Sequence, residues 1–70
     1  MTRDEHLAWA KARALEYLDA GDLGGAFASM GSDLTKHSDL KVNPILMELG
    51  LLHAMNHDRR ELRRWIEGFR

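Results

Sequence analysis

The sequence predicts an all-α fold: a compact bundle of four short helices (about 3–20, 23–36, 44–56 and 59–69) in one domain, 1–70, with the third helix central. Three observations predict it. Apolar residues recur at helical spacing in every segment, and no run alternates as a strand would. β-Branched residues, which strands favour, number five among 70. A helix-capping residue stands before each apolar stretch: Thr2, Asp22, Asn43 and Asp58.

Thr2-Arg3-Asp4-Glu5 has the form of a capping box, in which Thr2 accepts from the amide three residues on and Glu5 reaches back to Thr2. The helix that follows presents Leu7, Ala10, Ala14, Tyr17 and Leu18 on one face. Gly21 is placed to end it in the left-handed conformation that glycine tolerates. Asp22 then caps the second helix, whose stripe is Leu23, Phe27, Met30 and Leu34, with His37 one turn further. A second face carries Gly24, Ala28, Gly31 and Thr35, small enough to admit a neighbouring backbone. The stretch GDLGG is thus a helix stop and start, not a phosphate cradle: a helix precedes it, and no lysine follows until Lys36. Close helix approach accounts for Gly24 and Gly25.

Residues 37–42 (HSDLKV) form a loop. Asn43-Pro44 opens the third helix, with Asn as cap and Pro at the first helical position, where its missing N–H is no loss. Only Glu48, Gly50, His53 and Asn56 interrupt the apolar character of this helix. A helix apolar all round is buried all round. A chain this short, however, buries only about 60% of its unfolded surface, so part of the third helix is expected to meet another chain. Asp58 caps the fourth helix, with Glu61 at its third position. Leu62, Trp65, Ile66 and Phe69 face inward, and Arg59, Arg60, Arg63 and Arg64 outward.

Composition excludes several classes. Without cysteine there are no disulfides and no thiolate metal sites. The net charge of −1 gives no global pull toward nucleic acid, although residues 57–70 carry five arginines against Asp58, Glu61 and Glu67. No apolar run approaches the ~20 residues of a membrane span, and the N-terminus has no signal-peptide core; a cytoplasmic protein without membrane association is expected. His53 and His57 stand four apart, a spacing that can bring two imidazoles to one metal, but H-E-x-x-H and further ligands are missing. Ser29, Ser32, Thr35 and Ser38 lie near His37, Asp33 and Asp39, but proximity along a helix does not give a nucleophile its base. No metal, no cofactor and no catalysis are expected.

Two surface features carry more content. Trp9 points away from the core stripe, between Glu5, Arg13 and Glu16, either as a partner contact or with Arg13 stacked on it one turn away. The arginine face of the fourth helix, joined to the third by a short turn, has the outline of a helix-turn-helix unit. Against DNA binding, the turn lacks a glycine, the third helix is too apolar to cross phosphates, and the net charge is negative. The same arginines can pair with the acidic first helix of a second copy.

Tyr17-Leu18-Asp19-Ala20-Gly21-Asp22-Leu23, then Ala28-Ser29-Met30, Ser32-Asp33-Leu34 and Lys36-His37, form a pattern within Ala14–His37. It resembles a motif in a family of small, functionally uncharacterised helical proteins encoded by bacteriophages of high-GC actinobacterial hosts. The resemblance implies no activity and no catalytic residues. It implies a setting, the bacterial host cytoplasm, in which such proteins act by binding host or phage proteins. The sequence therefore reads as a small non-catalytic protein-binding module that self-associates as a homodimer or higher oligomer and has a further protein partner of unknown identity. Its contact candidates are Trp9, Arg13, Met47, Leu51, Met55, Arg59, Arg60, Arg63 and Arg64. The alternative reading is a small helix-turn-helix-like DNA-binding regulator that uses the arginine face.

Overall fold

A computed structural model of the chain describes residues 2–37 and 40–70, so Ser38 and Asp39 of the expected loop lie outside the described residues. Four helices follow in order, α1 (Arg3–Asp19), α2 (Leu23–Leu34), α3 (Pro44–Met55) and α4 (Arg59–Glu67), with no strand among the described residues. Each starts at its expected cap. The Glu5 amide donates to the Thr2 hydroxyl over 3.1 Å, and the Thr2 amide donates to the Glu5 carboxylate over 3.0 Å, so both halves of the capping box form. Asp22, Asn43 and Asp58 accept from the amides of Gly25, Ile45 and Glu61.

The two tight turns share one design. The Asp22 amide donates to the Tyr17 carbonyl and the Gly21 amide to the Leu18 carbonyl, both over 2.9 Å, with Gly21 at φ +84°. This is the Schellman arrangement. It recurs after α3, where the Asp58 amide donates to the His53 carbonyl over 2.9 Å and the His57 amide to the Ala54 carbonyl over 3.1 Å. There the left-handed residue is His57, at φ +53°. In both turns the next residue is the aspartate that caps the following helix.

The core is built by α1 (Leu7, Ala10, Ala14, Leu18), α2 (Leu23, Ala26, Met30, Leu34) and α4 (Leu62, Trp65, Ile66). Ala10, Ala14 and Ala26 are completely buried, and α1 and α2 share the most extensive helix contact in the fold. Tyr17, expected in the α1 stripe, is exposed instead and leans over the start of α2. Phe27 and Phe69, expected in the core, are half-buried at its edge, their rings 5.7 and 4.9 Å from that of Trp65. The small-residue face of α2 meets another helix at one point only. Gly24, Ala28 and Thr35 face solvent, and Gly31 meets only the tip of Met47. Gly25 is small for a local reason: a β-carbon there would lie 2.3 Å from the Asp22 carboxylate and 2.9 Å from the Tyr17 ring.

The four-helix fold is as expected, but α3 is not its central element. It lies against α2 and α4 and does not touch α1. Only Gly50 and Ala54 of α3 are buried. With apolar side chains on every side, fit and not polarity decides which side turns inward. Gly50 offers a flat seat: a β-carbon there would lie 2.4 Å from the Trp65 ring. The Trp65 indole Nε1–H then donates to the Leu46 carbonyl over 2.8 Å. One aromatic side chain thus fastens α3 to α4 and leaves the far side of α3 in solvent.

Candidate functional site

The far side of α3 is the largest departure from an ordinary surface. Ile45, Leu46, Leu49, Leu51, Leu52 and Met55 are between 37% and 69% exposed. Gly50 and Ala54, four apart, mark the inward direction, so Ile45, Leu49 and Leu52 run down the outward one, with Glu48 between Ile45 and Leu52 on the same side. Their spacings of four and three are the repeat of a helix-pairing seam. Glu48 is the single Asp, Glu, Lys or Arg among the twelve residues of α3. Six large apolar side chains exposed on one short helix are uncommon on a protein that stays alone in water.

The structure places the expected contact residues in three separate regions. Leu51 and Met55 are exposed on α3 as expected, but Met47 is half-buried and packs inward against Gly31. Ile45, Leu49 and Leu52, absent from the expected contact set, belong to the outward face as well. The signal was present in the sequence: Gly50 and Ala54 are the two smallest residues of α3 and stand one turn apart.

Trp9 and Arg13 lie on α1, away from α3. Trp9 is half-buried, the Arg13 guanidinium sits 4.8 Å from its ring centroid, and the Lys36 ammonium sits 6.0 Å from it. Both cations also reach the buried Asp33 carboxylate, at 3.5 and 3.1 Å. His6 is buried as well, with Nε2 2.6 Å from the Asp33 carbonyl oxygen and its ring 5.3 Å from those of Trp9 and His37. This cluster ties α1 to the end of α2, and no buried side-chain polar atom among the described residues lacks a partner. Sequence reasoning did not find His6 and Asp33. Their register was legible, because His6 precedes Ala10 and Ala14 at four-residue steps and Asp33 follows Met30 by three.

The arginine face of α4 is partly engaged within the chain. Arg63 pairs with Asp19 at the end of α1, Arg59 approaches the same carboxylate at 3.8 Å, and Arg64 pairs with Glu61 at 3.2 Å. Arg60 has no ion-pair partner among the described residues. Arg3 at the start of α1 and Lys11 at its middle donate to backbone carbonyls of Arg70, Glu67 and Phe69, where cations suit the carbonyl end of α4.

Shallow grooves are present among the described residues. One, of about 330 Å3, is lined by Arg13, Glu16, Tyr17 and Ala20; another, of about 380 Å3, lies between the start of α1 and Phe69. Neither is lined by a Ser, Thr or His. Among the described residues no three His, Asp or Glu side chains converge as a metal site would need, and no helix is long and apolar enough to cross a membrane. Comparisons with protein-family models, with curated protein sequences and with solved structures find no match for the chain.

Proposed function

We propose that the chain is a small non-catalytic protein-binding module whose contact element is the outward side of α3. It associates with other copies of itself and, in the phage setting that the Ala14–His37 motif resembles, with a host or phage protein. One observation carries the reading: six large apolar side chains on a 12-residue helix stand 37% to 69% exposed. Leaving them in water forgoes stabilisation of about 25 cal/mol for each Å2 that a partner would cover.

The competing reading, a DNA-binding regulator, draws less support. Arg59 and Arg63 are turned toward Asp19, and the helix that would cross phosphates presents Ile45, Leu49 and Leu52. Size-exclusion chromatography with light scattering, alone and after incubation with host lysate, tests the proposal. A mass above 8.0 kDa in either case is expected. A chain that stays at monomer mass in both cases, yet binds duplex DNA with a steep salt dependence lost on replacing Arg59, Arg60, Arg63 and Arg64, would overturn it.

A further inference from the structure

The outward face of α3 has the composition, size and charge distribution to be covered by the same face of a second copy. It carries one charge, Glu48, between Ile45 and Leu52, and is otherwise apolar, so most of its complement is apolar too. A helix face of that kind supplies it, and the chain contains one. Ile45, Leu49, Leu52 and Met55, which share the outward side, present on the order of 400 Å2, so two copies would bury roughly 800 Å2, the size of a weak, reversible interface. A two-fold axis makes this arrangement self-complementary without any second patch.

Direction follows from charge. Helix α4 begins with Arg59 and Arg60, four residues beyond the end of α3 at Met55. A parallel pair would gather four of these guanidinium groups at one end. An antiparallel pair places them at opposite ends and also opposes the helix dipoles. We infer that two copies join through antiparallel α3 helices about a two-fold axis near Gly50, with Ile45 of each copy beside Met55 of the other and Leu49 and Leu52 forming the centre of the seam. This deepens the protein-binding reading above and rests on it.

The absence of cysteine makes the arrangement directly testable. Single-cysteine variants Ile45→Cys and Met55→Cys are prepared, with Ala12→Cys on α1 as an exposed control, and oxidised alone and mixed. The expected result is a disulfide-linked species of twice 8.0 kDa that is abundant only when Ile45→Cys and Met55→Cys are mixed. Efficient self-linking of each variant alone would show a parallel pair and overturn the antiparallel assignment while leaving self-association intact. No linking above the Ala12→Cys control, with a wild-type monomer by light scattering that still retains a lysate protein, would overturn the pairing but not the protein-binding reading. Leu52→Glu, with helicity unchanged by circular dichroism, is expected to abolish the linked species. Undiminished linking in that variant would place the interface elsewhere.

Discussion

The Trp65 ring occupies the space that a side chain at position 50 would need, since a β-carbon on Gly50 would lie 2.4 Å from it. This contact and the indole hydrogen bond to the Leu46 carbonyl decide which side of α3 meets the core. They also fix which side is left to meet a partner. A glycine inside a helix costs about 1 kcal/mol relative to alanine, and here that cost secures the docking of α3.

Gly50→Ala is therefore expected to destabilise the protein by roughly 1–3 kcal/mol, overpacking outweighing the gain in propensity. Gly24→Ala, where a β-carbon meets no neighbour nearer than the Asp22 carboxylate at 4.0 Å, is expected to stabilise it by roughly 0.5–1 kcal/mol. Urea unfolding of the two variants reads the difference in sign. A Gly50→Ala protein as stable as Gly24→Ala would contradict the seating of Trp65 on α3.

The paired turns predict opposite responses at equivalent positions. His57 holds φ +53°, a conformation that costs a residue with a β-carbon about 1–2 kcal/mol and glycine almost nothing. His57→Gly is expected to raise stability by roughly 0.5–1 kcal/mol, the greater freedom of glycine in the unfolded chain taking back part of the gain. Gly21→Ala, at φ +84°, is expected to lower it by about 1–2 kcal/mol. Thermal or urea midpoints of the two variants that move in the same direction would rule out the shared turn design.

Asp33 is 1% exposed, but Arg13 and Lys36, its partners, are about half in water. When Asp33 is removed, both cations can turn outward and rehydrate, so the loss falls below that of breaking a fully buried pair. Asp33→Ala is expected to cost roughly 1–2 kcal/mol by urea unfolding, and Arg13→Ala less than about 1 kcal/mol. A larger effect for Arg13→Ala would mean that its stacking on Trp9, and not Asp33, holds the α1–α2 end together.

The Thr2 backbone amide, and after it the Thr2 hydroxyl contact, hold the Glu5 carboxyl below its ordinary value of 4.5. A depressed folded-state value means that the charged form stabilises the fold. This contribution is present above pH 4.5 and is lost as the pH falls through and below that value. Denaturation midpoints of wild type and Glu5→Gln are expected to differ at neutral pH and to converge below the carboxylate range. A gap that stays constant with pH would remove the ionised cap from the account.

The sequence disclosed the helices because their ends are written in local chemistry: Thr2-x-x-Glu5, Gly21-Asp22, Asn43-Pro44 and Asp58 each act within one turn of themselves. It disclosed most of the α1, α2 and α4 stripes, Tyr17, Phe27 and Phe69 excepted, because those helices have a small or polar side to contrast with. The orientation of α3 was less legible, since a helix apolar on every side carries no amphipathic direction, and its docking is set by Trp65, fifteen residues beyond Gly50. His6 and Asp33 were obscured for a related reason. Polar residues on a buried register look like surface until the partners that satisfy them, the Asp33 carbonyl for His6 and Arg13 and Lys36 for the Asp33 carboxylate, are seen in three dimensions.

The central claim is that the outward face of α3 is bare in a lone copy and covered in company, and methionine oxidation by dilute peroxide measures this most directly. Met55 is 69% exposed, and Met30, fully buried, is the internal standard. As protein concentration rises from nanomolar to high micromolar, Met55 oxidation is expected to slow severalfold toward the Met30 rate, while Met30 stays slow throughout. Met55 oxidation that is equally fast at every concentration, or as slow as that of Met30 at the greatest dilution, would contradict it.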